Sequence, residues 1–174
     1  MKTEKLISFE ELSELPKEGR YEIVEGMLLD MSPAGGRHAY AVARLTHMLY
    51  SLLKDIGYVF SGELGLLIKR EPLTLRASDI AFYSKERLRE VPSGFLHEPP
   101  DLVVEVVSEP VGVEYLEEKL RDYMSFGVGR MLFIDLNKEL ILLIDEERRI
   151  GVYSFEEEVE MWKGVKVKMK EVLA

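Results

Sequence analysis

Cysteine is absent from this sequence, tryptophan occurs once and histidine only three times. Without thiols there are no disulfides and no thiolate metal sites, a usage that accords with a cytoplasmic setting. His38, His47 and His97 are scattered and give neither HExxH nor any other zinc spacing. There is also no GxSxG elbow and no dinucleotide fingerprint, and "PAGGR" at 33–37 lacks a Walker lysine and reads as a turn. No apolar run approaches the ~20 residues of a membrane span, so no membrane partner is expected. The opening "MKTEKLISFEELSELPKEG" carries acids throughout and has no apolar h-region, so it is not read as a signal peptide.

Positive charge is also in short supply: 23 Lys and Arg stand against 32 Asp and Glu, a net charge of −9. Broad, patch-driven binding to nucleic acid or anionic membrane is therefore disfavoured. An enzyme whose acidic site recruits a divalent cation before meeting a phosphate remains open. The 47% apolar and 32% charged content is that of an ordinary globular protein. With no repeat or linker in view, one domain over 1–174 is expected.

"ISFEELSELP" reads as a short helix opened by Ser8 with Glu11 as its capping-box partner. "RYEIVEGMLLDMSP" gives two strands joined at Glu25-Gly26. "RHAYAVARLTHMLYSLLKDIG" is a helix with apolar positions Val42, Leu45, Leu49, Leu52 and Ile56, and Gly57 as its C′ stop. "YVFSGE" and "LGLLIKR" read as two short strands, "SDIAFYS" as another, followed by a short charged helix. A strand over 101–107 and a helix over 113–126 come next. "RMLFIDL", "ELILLID" and "RIGVYSF" are consecutive strands, and "GVKVKMKEVLA" alternates like an exposed edge strand. The expected fold is α/β or α+β, a mixed sheet flanked by helices.

The stretch "PPDLVVEVVSEPVGVEYLEEKLRDY" at 99–123 does not fit a plain core element. In its strand, Leu102, Val104 and Val106 form one aliphatic face, while Asp101, Val103, Glu105 and Val107 share the other. A glutamate between two valines is costly to bury without a cation. On the following helix Lys119 lies on the apolar side, between Tyr115 and Tyr123. Lys119 meeting Glu105 answers both anomalies. Asp79 opens "DIAFYS" as a third candidate. Two acids at strand ends with one lysine suit Mg²⁺ or Mn²⁺ and phosphodiester hydrolysis.

These residues resemble the PD-(D/E)XK nuclease superfamily, and within it the Uma-two family of restriction-endonuclease-like proteins. The likeness rests on "RYEIVEG", "SP" and His38, "SDIAF", "PPDLVVEVVS" and "EKLRDYMSFGVGRMLFIDL", in order along nearly the whole chain. It implies a restriction-endonuclease-like mixed sheet and a divalent-metal site cutting DNA. Asp79 and Glu105 would then hold Mg²⁺ or Mn²⁺, with Lys119 as the motif lysine. The superfamily's commonest form places that lysine two residues after the second acid, where Val107 stands here. In the Uma-like variant it has moved to the next helix. Glu22 and His38 align with recurrent polar positions and are supporting candidates for an extra metal or water contact. Ser78 replaces the usual proline, and "SEP" at 108–110 replaces "SPS". A homodimer is expected from the resemblance alone. The rival expectation is a nuclease fold without hydrolysis, a binding or assembly module in which Lys119–Glu105 is only a buried ion pair.

Overall fold

The computed structural model describes residues 6–15 and 20–174; the remainder of the acidic opening stretch, including Pro16 of the first expected helix, lies outside them. Ser8 and Glu11 exchange the capping-box hydrogen bonds, Ser8 N–H to the Glu11 carboxylate at 3.0 Å and Glu11 N–H to Ser8 Oγ at 3.4 Å. The turn they open is a 3₁₀ helix, Glu10–Glu14. Strands β1 (Tyr21–Val24) and β2 (Met27–Asp30) form the expected hairpin. Its two turn residues, Glu25 and Gly26, both have positive φ, as a two-residue turn between twisted strands requires.

Helix α1 (Gly36–Leu53) ends earlier than its apolar pattern suggests. Its buried stripe is Ala41, Leu45, Leu49 and Leu53, a strict four-residue step, whereas Leu52 and Ile56 are exposed. Gly57 is not a helix stop but the first residue of β3 (Gly57–Arg70). The two short strands expected here are this single one, interrupted by a bulge between Ser61 and Leu64 at Gly62 and Glu63, both with positive φ. Its antiparallel partner β4 (Leu73–Ser84) is buried over all but its last residue. The charged helix expected after it is only a turn, closed by Arg87 and Leu88 N–H groups on the Ser84 carbonyl.

β5 (Leu102–Val107) and α2 (Val113–Phe126) form as expected, α2 ending at Gly127 in the left-handed conformation. β6 (Arg130–Asp135), β7 (Leu140–Ile144) and β8 (Ile150–Ser154) complete the sheet. The C-terminal alternation belongs to β10 (Val165–Lys168), which pairs with β9 (Glu158–Trp162) in a separate two-stranded sheet and is followed by α3 (Met169–Val172).

The main sheet runs β2-β1-β4-β5-β6-β7-β8, with β3 on the other side of β4. Among the described strand pairs only β5–β6 is parallel, joined by the α2 crossover. Ile80, Phe82, Leu102, Val104 and Val106 face α1, while Ala81, Tyr83, Val103 and Phe133 face α2. Besides the β3 bulge, this α+β architecture contains a break in pairing that positions the site. β4 pairs with β1 at Leu75 and with β5 only from Ile80 onward. Residues 76–79 lie between those partners, at a fork in the sheet. Among the described residues, no helix is long and apolar enough to cross a membrane.

A Cβ on Gly57 would lie 2.2 Å from the Tyr83 carbonyl and 2.5 Å from the Phe82 ring. Gly57→Ala is expected to destabilise the fold by about 1–3 kcal/mol through overpacking against β4, measurable as a lower urea midpoint with an unchanged m-value.

Candidate active site

At the fork, β4 has no neighbouring strand on the edge away from β3, and side chains take over. Ala77 N–H donates to Glu22 Oε1 at 3.0 Å, and the Ala77 carbonyl accepts from Lys119 Nζ at 3.0 Å. On the β5 side, Val106 N–H donates to Asp79 Oδ2 at 2.8 Å. One residue beyond the Ile80–Val104 pair, the antiparallel register would set Asp79 opposite Glu105. Buried backbone groups need partners. Three of the residues that provide them here are sequence candidates: Asp79 and Lys119, and Glu22, which entered through the family resemblance.

Lys119 is 3% exposed and donates to Glu105 Oε2 at 3.0 Å, with Glu22 Oε1 at 3.2 Å. The expected meeting of Lys119 and Glu105 is thus present. Glu105 also accepts a hydrogen bond from Tyr123 Oη. Burial pushes the Glu105 carboxyl up to about 8; Lys119 opposes this and the neighbouring Asp79 adds to it. Burial works against the Lys119 ammonium, but Glu105, Tyr123 and Glu22 outweigh it and hold its pKa well above the usual lysine value. Lys119 is therefore a fixed cation at neutral pH.

Glu22 turns inward. Arg76, whose side chain is fully buried, donates to Glu22 Oε2 at 2.9 Å through Nη1 and to Asp122 Oδ2 at 2.7 Å through Nε. Burial raises the Glu22 carboxyl, but Lys119 and Arg76 prevail and bring it below the usual glutamate value. Glu22 is the counter-charge that seats Arg76 and Lys119 side by side.

His38, in the first turn of α1, places Nε2 3.1 Å from Asp79 Oδ1. That hydrogen bond to Asp79, against an opposing effect of burial, raises the His38 pKa. A further residue joins them. The β3 bulge carries Glu63 into the same space, and one ligand atom each from His38, Glu63 and Asp79 lie within 4.8 Å of one another. The two carboxylate oxygens suit Mg²⁺ or Mn²⁺, while the imidazole nitrogen favours a transition metal such as Mn²⁺ over Mg²⁺. Glu63 went unnoticed in the sequence; the glycine before it, in a run expected to be strand, was its only local signal. Glu105 stands beside this group rather than in it, tied to Lys119 and Tyr123. His38, Glu63, Asp79 and Glu105 line one cleft of about 290 Å³ together with Lys119. His47 and His97 are exposed, and Asp101 binds Ser84 N–H and Arg87, away from these groups.

A large mixed sheet flanked by helices, with acids, a histidine and a lysine gathered at a strand fork, defines a nuclease-like α+β protein. A crystal structure titled a "putative nuclease belonging to DUF820", from Anabaena variabilis ATCC 29413, superposes with a TM-score of 0.81 over 96% of this chain and 97% of that one, at 16% identity. That likeness is one of fold. The chain belongs to the Uma2 family, described as "Putative restriction endonuclease", which matches residues 9–170. Among curated proteins no significant match is found.

Glu22→Ala should destabilise the protein by about 3–5 kcal/mol, because it leaves Arg76 buried without its main partner. Since the Glu22 pKa is lowered in the folded state, its contribution is present above the usual glutamate range and is lost as pH falls below it. Chemical denaturation at neutral pH and again below about pH 4 checks both statements. The gap between wild type and Glu22→Ala should shrink on acidification.

Proposed function

We propose that this protein is a divalent-metal-dependent endonuclease that hydrolyses DNA phosphodiester bonds. The observation that carries this reading is the convergence of His38, Glu63 and Asp79 within 4.8 Å of one another, in the cleft that also holds Glu105 and Lys119. Family membership supports the nuclease class.

Asp79, His38 and Glu63 would hold the cation, with Glu105 alongside as the second acid of the expected motif. Mg²⁺ or Mn²⁺ there supplies a bound water of lowered pKa and neutralises charge that develops on the phosphoryl group. Asp79 is suited to its place because Oδ2 is anchored by Val106 N–H while Oδ1 faces His38. Lys119 does not act as a base, since its ammonium is stabilised. Held by the Ala77 carbonyl and Glu105, it orients the attacking water and offsets negative charge on the phosphoryl oxygens. Glu105 and Tyr123 keep the ammonium in position. Duplex cleavage by a homodimer, with one site per strand, and action in the cytoplasm complete the reading.

One observation favours the rival, a fold retained for binding or assembly. The Lys119 ammonium already has three oxygen partners, at 3.0, 3.2 and 3.0 Å, as in a purely structural charge cluster. The two readings separate on metal binding.

Isothermal titration of Mn²⁺ is expected to show binding to wild type that disappears in Asp79→Ala, with circular dichroism confirming that the variant is folded. No heat from wild type, with or without a short DNA duplex, would sink the metallonuclease reading. Where cleavage is found, Lys119→Met should lower its rate by about 10²–10³ while leaving Mn²⁺ binding in place. Equal rates would remove Lys119 from the chemistry.

A further inference from the structure

Two arginines border the fork, and each keeps one buried guanidinium nitrogen without a hydrogen-bond partner. Arg76 is fully enclosed, hydrogen-bonded to Glu22 and Asp122, with Glu118 3.5 Å from its unbonded Nη2. Arg20 is not enclosed. Its Nη1 donates to the Ser32 carbonyl at 2.9 Å and its Nη2 pairs with Glu63, but its Nε is buried with no hydrogen-bond partner. A buried unpaired donor on a charged group is costly when nothing else is to occupy the space. The side chain keeps 29% of its surface exposed, and it lines both the 290 Å³ cleft and an adjoining cavity of about 710 Å³. Its partner Glu63 is one of the three residues of the candidate metal cluster.

We propose that Arg20 is a phosphodiester-binding residue that Glu63 holds in reserve. This rests on the metal reading given above. In the metal-free protein the Glu63 carboxylate neutralises the guanidinium. A cation bound through Glu63 satisfies that carboxylate and leaves Arg20 with an open donor edge, still tethered to the Ser32 carbonyl. The guanidinium fork matches the paired non-bridging oxygens of a phosphodiester, which it can engage bidentately. Arg20 would thereby couple occupancy of the metal site to retention of the nucleic-acid backbone, in a protein whose overall charge of −9 otherwise repels it. The contact reads phosphate, so it adds affinity without sequence preference.

The test uses the full chain, a short fluorescent DNA duplex and anisotropy in EDTA, with melting curves on each variant. Glu63→Gln frees Arg20 without metal and should tighten duplex binding roughly tenfold over wild type. Adding Arg20→Ala should abolish that gain and reduce the slope of log affinity against log salt by about 0.9. Adding Arg20→Lys instead should keep the slope and recover only part of the affinity, which guards against an alanine variant that misfolds. Mn²⁺ titration without DNA supplies an independent readout: Arg20→Ala should bind the ion several-fold more tightly, because Glu63 no longer has a competing partner. A Glu63→Gln gain that survives Arg20→Ala, or no gain at all, overturns the role of Arg20. Absence of Mn²⁺ binding by wild type overturns the metal reading instead, while the DNA series still reports on Arg20 alone.

Discussion

The structure of the site follows from one constraint: β4 cannot keep the same neighbour along its whole length. It pairs with β3 throughout on one side, but on the other it passes from β1 at Leu75 to β5 at Ile80. In a fully buried strand the intervening N–H and C=O groups cannot turn to water. Side chains with charge or hydrogen-bonding capacity must therefore enter the gap, and Glu22, Asp79 and Lys119 do so. The fork thus imports the acids and the cation that a phosphoryl-transfer site requires. Architecture and chemistry have the same origin here.

Burying that much charge is sustained only by mutual pairing. Arg76 and Lys119 share Glu22, and Lys119 in turn shares Glu105 with Tyr123. Removal of any one partner leaves another uncompensated, so the group behaves as a unit rather than as separate ion pairs. The apolar layers on either side, α1 over Ile80 and Val104 and α2 over Val103 and Phe133, fix the strands that carry it. A small movement of α2 would disturb Lys119, Tyr123 and the Arg76–Asp122 contact together, because all depend on that one helix.

Much of this was legible in the sequence because it departs from a simple pattern. Glu105 interrupts an aliphatic strand and Lys119 interrupts an apolar helix stripe, and those two breaks sufficed to bring the elements together. The hairpin, β5, α2 and the run β6 to β8 carry strong periodicity and end at glycines or turn residues, so the sequence pattern marks their boundaries closely. What stayed hidden depends on non-local geometry. Leu52 and Ile56 extend the apolar pattern of α1 on paper, yet the core accepts only the four-step stripe through Leu53. "YVFSGELGLLIKR" has a break at Gly62 that looks like a strand end, but pairing with β4 on both sides makes it a bulge. Glu63 rides on that bulge and so escaped notice. Nothing local in the sequence distinguishes Arg76 from a solvated basic residue, although its side chain is completely enclosed.

The bulge also clarifies how a carboxylate can serve structure and ligand binding at once. Asp79 divides the roles between its oxygens: Oδ2 closes the ladder at Val106, and Oδ1 faces the histidine. Anchoring one oxygen fixes the direction of the other, the preorganisation a metal site needs. Among the described residues, Glu63 has no such backbone anchor. Its position depends on a positive-φ bulge and on Arg20. Of the three converging donors, it is thus the one whose partner can be exchanged without breaking the sheet. Asp79 and the Glu22–Lys119–Glu105 group supply the rigid part of the site, and the Glu63–Arg20 pair supplies the part that can respond to a ligand.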